Sequence, residues 1–307
     1  MFAALDAGSR WRAYLKNNHS GSISNLIGAW PEISSLEISF ISISDFDNDF
    51  AQHLLKDPKS HLETGTSVLR KLLSEDHNVN YDVHLRVKQL PPDSIFLVKS
   101  LRTNQIKKLI GVEAIVGRTS QVLPRTLNAR FRCRSCGAIT LVKQRHEQQL
   151  EKPLKCEGPN PPDEPGCGKP KGATDWYPDP SLDELIDTQF IEIQEMPENV
   201  DSGSQPERLQ VMIENDITGR LKPGDRIILN GYMVTRPRGA NNRPSSVFEL
   251  LFIAQSFEMQ NRVYEELGTK ESDIDLIQQI SERSDVLEYI ANSIAPSIEG
   301  YSSVKHS

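Results

Sequence analysis

No stretch of the 307 residues approaches the roughly 18 continuous apolar side chains of a membrane-spanning helix, so no membrane partner is expected. An apolar N-terminal run of the kind that directs secretion is also missing, which favours a cytoplasmic location and reduced thiols. Excess positive charge is lacking. Lys and Arg total 35 against 42 Asp and Glu, a net charge of −7, which argues against a generally basic nucleic-acid binder. There is no Gly-x-x-x-x-Gly-Lys-Ser/Thr phosphate loop. The one Gly-Lys pair, Gly168-Lys169, is followed by Pro170, and Asp163 stands where the first Gly should be. Without that Gly-rich nest and helix N-terminus these residues should not hydrolyse ATP. No Cys-His pairing suggests an activated thiol nucleophile. No repeat or low-complexity tract appears.

Cysteine is also scarce, but its placement is informative. The four cysteines read Cys133-x2-Cys136, then Cys156, then Cys167. Gly137 and Gly168 follow the second and the last, giving backbone room for a thiolate at a tight turn. Four thiolates complete a closed tetrahedral Zn²⁺ site, which is structural because no position is left for water. The first pair has knuckle spacing and the second is stretched by the loop 157–166. Two alternatives stand beside this one. The thiols form two disulfides or lie scattered and buried, or His146 replaces Cys156 as a ligand.

The remaining chain divides by periodicity. Trp11, Tyr14 and Leu15 sit at i, i+3, i+4, and Ile23, Leu26 and Ile27 continue in helical fashion. Leu36–Ile43 alternates like a short strand. Phe50, His53 and Leu54, then Val68, Leu69, Leu72 and Leu73, predict two more helices. From Tyr81 the period becomes two, with strands expected over 83–87, 109–118, 127–132, 189–194, 209–214, 225–232 and 247–253. Short strands punctuated by Gly and Pro suggest an antiparallel OB-fold barrel, a fold that binds oligonucleotides. The expected class is mixed α and β. Residues 1–90 form a helical subdomain, 91–128 and 173–258 the OB-fold, 129–172 a zinc-binding insertion, and 259–307 a helical linker. Ile274, Ile277, Ile280, Leu287, Ile290 and Ile294 fall at helical spacing in that last segment.

Charge is unevenly distributed. From Arg118 to Lys155 there are nine Lys or Arg and two acids, Glu147 and Glu151. From Gly231 to Phe248 there are three arginines, Arg236, Arg238 and Arg243, and no acid. Local charge dominates in screened solution, so an acidic chain can still hold phosphate on such stripes. Tyr232–Pro244 has the look of a β-hairpin with a Gly/Asn tip flanked by the three arginines.

Several segments, in order, resemble the N-terminal portion of an archaeal MCM protein, the replicative DNA helicase family. They are Leu101-Arg102 with Ile106–Val116, the cysteine module, Asp187-Thr188-Gln189, Ile193-Gln194-Glu195, Gln205-Pro206, Lys222-Pro223-Gly224-Asp225, and most specifically Ser293–Gly300 with Val304-Lys305. The resemblance covers about 90–305 well and the first 90 residues by position only. It departs at the Cys156-x10-Cys167 pair, where the family usually has a second knuckle. It implies a DNA-binding, ring-forming region, hexameric or double-hexameric and nucleoid-associated, working with single- and double-stranded DNA and other replication proteins. The segment after Ser307 would begin an AAA+ ATPase, where ATP and Mg²⁺ would bind and helicase catalysis would reside. It further implies that Arg236, Arg238 and Arg243 lie on the DNA-binding hairpin. Arg125 matches a basic position on the barrel surface that holds single strands, and Arg118 and Arg132 are candidates there from charge alone. Gly203, Gln205, Pro206 and Arg208 align with a loop that communicates with the ATPase. A competing possibility is a freestanding OB-fold and zinc protein that binds single strands without a motor.

Overall fold

A computed structural model of the chain describes residues 6–144, 150–159, 163–180, 183–200, 205–237 and 248–260, with 278, 280, 281, 283, 285–293 and 305 of the C-terminal stretch. Residues 1–260 and 261–307 are two separate compact units.

The first unit begins with a helical layer. Helices α1 (Ala7–Asn18), α2 (Ser20–Ala29), α3 (Phe40–Phe46), α4 (Asn48–Lys56) and α5 (Pro58–His77) surround a two-stranded parallel sheet of β1 (Ser35–Ser39) and β2 (His84–Lys88). The i, i+3, i+4 trio Trp11, Tyr14 and Leu15 is fully buried, with the Trp11 ring edge-on to Phe50 at 5.0 Å. The Trp11 indole N–H donates to the His61 carbonyl at 2.9 Å, which satisfies its one polar atom inside the core. The Asp47 side chain accepts from the Phe50 N–H and starts α4, while Asn78 ends α5 in the left-handed region at φ 54°. The expected strand over 36–43 stops at Ser39. Phe40 and Ile43 are both buried at helical i, i+3 spacing, and that face turns the chain into α3.

The barrel follows. Its five strands are β4 (Leu109–Thr119), β8 (Glu184–Gln194), β9 (Arg208–Glu214), β11 (Phe248–Met259) and β10 (Arg226–Pro237). They pair in the order β4-β8-β9-β11-β10, and β10 returns to β4, closing the sheet. All pairs are antiparallel except β9 with β11. One parallel contact in a closed five-stranded barrel is the OB-fold arrangement. Inward residues at every second position, among them Val112, Ala114, Val116, Ile191, Ile193, Val211, Ile213, Ile227 and Leu229, form the core. Strand β3 (Ile95–Leu97) lies along β4.

Strand β5 (Leu123–Cys133) does not close the barrel. It pairs with the first half of β8, runs outward, and there carries β6 (Ile139–Lys143) on one side and β7 (Trp176–Pro178) on the other. The cysteine module is built on this extension.

Polar groups join the helical layer to the barrel. The Arg86 guanidinium of β2 is buried against Asp216 and the carbonyls of Gln255 and Glu214. Ser256 Oγ donates to the Val87 carbonyl at 2.6 Å, and the Gln89 N–H donates to Glu258 at 2.9 Å. In the second unit, α6 (Val286–Ser293) carries Leu287 and Ile290 exposed, and Arg283 lies over the Tyr289 ring at 4.5 Å. Ile274, Ile277 and Ile294 lie outside the described residues.

Candidate metal centre and nucleic-acid interface

The four cysteines converge. Their Sγ atoms all lie within 4.8 Å of one another, with Cys133–Cys167 at 3.8 Å and Cys136–Cys156 at 3.6 Å. Four sulfurs about 2.3 Å from a tetrahedral ion stand about 3.8 Å apart, so the donor set fits one metal ion of Zn²⁺ size. All four thiols are free, which removes the disulfide alternative, and Cys156 is a member of the cluster. His146 lies outside the described residues.

The stretched second pair is a knuckle with an insertion. In the first knuckle the Gly137 N–H donates to the Cys133 carbonyl at 2.8 Å, and the Cys133 N–H to the Ala138 carbonyl at 2.9 Å. In the second, the Gly168 N–H donates to the Cys156 carbonyl at 3.0 Å, and the Cys156 N–H to the Lys169 carbonyl at 2.9 Å. Gly137 and Gly168 share a left-handed backbone, φ 75° and 69°. The ten intervening residues are tolerated because the Gly166 N–H donates to the Glu157 carbonyl at 2.8 Å, closing the neck of the loop. Glu157 and Gly166 thus take the two positions between the cysteines of an ordinary knuckle, and 158–165 is an excursion.

The thiols differ in their surroundings. The Thr174 hydroxyl, 3.4 Å from Cys133 Sγ, is the main cause that pulls the Cys133 thiol down to about 6. The Ala138 backbone N–H is the chief influence lowering Cys136, and burial pushes Cys156 up to about 11.

The arginines are placed on one stem and on the barrel surface. Strands β10 and β11 pair in register out to Pro237 and Phe248, so the predicted hairpin has an ordered stem. Arg236 sits on it and donates to Gln210 at 2.9 Å and Glu249 at 3.2 Å. Arg238 and Arg243 lie outside the described residues, as does Gly203. Arg125 is partly buried, bound to Glu214 with Thr188 Oγ1 at 3.4 Å. Arg132 pairs with Asp179 at 3.2 Å on the β5 extension. Arg118 is exposed on β4, opposite Glu192 of β8. Arg208 pairs with Glu192 at 3.0 Å, Gln205 is exposed and Pro206 half-buried before β9. Arg118, Arg208 and Arg236 flank the neighbouring Glu192 and Gln210, while Arg125 and Arg132 lie along β5. The described arginines run from the hairpin stem around the barrel to the cysteine module, each with a local acid close by.

Reading by sequence missed those acids, because Arg125 and Glu214 are 89 positions apart. It also missed Thr174. The flanking Gly158 and Gly166, on either side of a Pro-rich loop, were the available signal for the closed neck.

A closed OB barrel whose outer strand carries four converging cysteines defines an OB-fold class of protein with a thiol cluster that could hold a metal ion. Comparisons with known proteins narrow it. Residues 97–237 match the MCM OB domain family. The chain is similar to the minichromosome maintenance protein MCM of Saccharolobus solfataricus, 28% identical over 280 residues, covering 88% of this chain and 39% of that protein. It is 23% identical to DNA replication licensing factor MCM4 of Drosophila melanogaster over 283 residues, 87% of this chain and 31% of that protein. Among solved structures, the crystal structure of the N-terminal domain of an archaeal MCM matches with a TM-score of 0.66 and 29% identity, covering 83% of this chain and 98% of that one. Together these likenesses support an MCM N-terminal region, with residues 97–237 as its MCM OB domain. It spans about two fifths or less of the length of these curated relatives. Among the described residues no helix is long and apolar enough to cross a membrane.

Proposed function

We propose that this region is the DNA-binding, ring-forming collar of a replicative helicase, with ATP and Mg²⁺ chemistry and strand separation belonging to a motor module of the full-length protein. The observation that carries the reading is the β10–β11 stem, which extends beyond the pairing with β4 and bears Arg236 at its outer end. Arg236, Arg238 and Arg243 would contact the phosphodiester backbone of single- and double-stranded DNA, since a guanidinium fork suits phosphate and a motor must pass every sequence. Arg118, Arg125 and Arg132 would extend the track along the barrel and the cysteine module. Cys133, Cys136, Cys156 and Cys167 would hold one structural Zn²⁺, which supplies cross-linking of the module and no catalysis. Gln205, Pro206 and Arg208, with Gly203, would form the loop that communicates with the motor. The helical layer of residues 1–90 would pack outside the barrel, and copies would assemble as a hexamer or double hexamer that meets other replication proteins at the nucleoid in the cytoplasm.

The test is alanine at Arg236, Arg238 and Arg243 together, read by oligonucleotide binding across a salt series. Each arginine removed from a phosphate should flatten the slope of log K against log salt by about one unit. Single- and double-stranded binding should weaken together, with folding and metal content intact. Unchanged binding across the series would move the site to the barrel face around Arg118, Arg125 and Arg132.

A further inference from the structure

Among the described residues, Glu249 and Gln210 both accept from the Arg236 guanidinium. Arg236 faces Glu249 directly in the β10–β11 register, and its Nη2 is shared between Glu249 Oε2 at 3.2 Å and Gln210 Oε1 of β9 at 2.9 Å. Both members of the ion pair reach solvent, the Arg236 side chain 28% exposed and Glu249 45%. A carboxylate on a guanidinium occupies the position and supplies the charge that two phosphodiester oxygens would supply in its place. A half-exposed pair adds little to fold stability, so exchanging one anion for another is cheap. Gln210 is neutral and would keep hold of the guanidinium after the exchange, so the side chain stays aimed.

We infer that Glu249 is a built-in competitor for the DNA backbone at Arg236, a surrogate phosphate that must be displaced before the hairpin stem engages DNA. This rests on the reading of the hairpin stem as a DNA contact. Glu249 acts twice against binding: it occupies the donor, and its charge repels an approaching phosphate. The consequence is weak, readily reversed contact by any one stem, which suits a protein that moves along its ligand. Glu249 is a positioning and tuning residue for the phosphodiester subsite, with no role in folding the barrel core.

The experiment measures binding of a fluorescent mixed-sequence single-stranded oligonucleotide to the whole chain by anisotropy across a salt series. The proteins are the parent, Glu249→Gln, Arg236→Ala, the double variant, and Glu32→Gln as a remote neutralisation on the helical layer. Glu249→Gln should tighten binding about three- to ten-fold at low salt and progressively less as salt rises, beyond any change from Glu32→Gln. In the Arg236→Ala background the same substitution should gain no more than the remote control. Tightening equal to that of Glu32→Gln, or full tightening without Arg236, overturns the inference while leaving the hairpin reading standing. An Arg236→Ala protein that binds as the parent does overturns the inference, while the hairpin reading is decided by the triple variant.

Discussion

Gly166 is where the second knuckle depends on a single missing carbon. A Cβ added there would stand 2.5 Å from Cys156 Sγ and 2.7 Å from the Cys156 carbonyl, against backbone and a metal ligand that have nowhere to go. Gly21, inside α2, has nothing within 4 Å of its added Cβ. Gly166→Ala should therefore lose bound zinc by elemental analysis, as should Cys156→Ser. Gly21→Ala should keep the metal and gain about 0.5–1 kcal/mol from helix propensity. A Gly166→Ala protein with full zinc would show that the neck opens more easily than its geometry implies. Titration acts at this scale too. Burial lowers the imidazoles of His19, His61 and His84, in each case as the largest cause. Around His84 the charges are mixed, with Arg86 and Arg70 lowering it further and Asp82 and Asp216 opposing. The unfolded chain, with histidine near its ordinary value of about 6.5, binds more protons than the folded one just below that pH. The sign follows: stability contributed by these neutral histidines is complete well above pH 6.5 and declines as pH falls through it. Urea midpoints should drop between pH 7 and pH 5.5, and His84→Gln should reduce the drop. An unchanged drop would assign it to other groups.

Elements show how far sequence reading reaches. The trio Trp11, Tyr14 and Leu15 and the period-two barrel strands were legible because one buried face repeats locally. The run 36–43 was not, because Phe40 both continues the alternation of Leu36 and Ile38 and opens a helical i, i+3 face with Ile43. Strand β5 read as an ordinary barrel strand, since a local pattern does not specify which neighbour a strand pairs with. The second knuckle was hidden by the excursion, whose closure depends on one hydrogen bond from Gly166 to Glu157 rather than on spacing. That closure is testable. Removing residues 158–165 joins Glu157 to Gly166 and leaves Cys156-x2-Cys167, and the shortened protein should retain one zinc per chain. Loss of metal on excision would mean that the excursion itself shapes the site. The joint between helical layer and barrel gives a larger effect. Arg86 and Asp216 are each 5% exposed at side-chain level, and removing one leaves the other charged and buried. Arg86→Ala should cost about 3–5 kcal/mol in chemical denaturation. Arg12→Ala, which breaks the exposed pair with Glu75, should cost under about 1 kcal/mol. Equal costs would refute the Arg86–Asp216 pair as the joint between the helical layer and the barrel.

At the scale of the whole molecule the net charge of −7 repels DNA at long range, and the described arginines Arg125, Arg132, Arg208 and Arg236 are each held by a carboxylate. A single copy so arranged gains little at each phosphate, and salt near 0.15 M confines attraction to within about 8 Å. Strong binding then requires many weak contacts presented at once. A ring supplies them, because each further stem meets the same strand at an effective concentration in the millimolar range. On the proposed ring reading, assembly and DNA binding would be thermodynamically linked: DNA that spans several stems would favour the ring, and the ring would raise affinity for DNA. Sedimentation velocity over a protein concentration series should show a species approaching hexamer mass, appearing at lower protein concentration when a long oligonucleotide is present. An oligonucleotide too short to reach two stems should bind weakly and leave the distribution unchanged. A chain that stays monomeric at high concentration with long DNA, yet binds it tightly, would remove the ring from the argument and favour the freestanding single-strand binder, since its affinity would have to come from one copy alone.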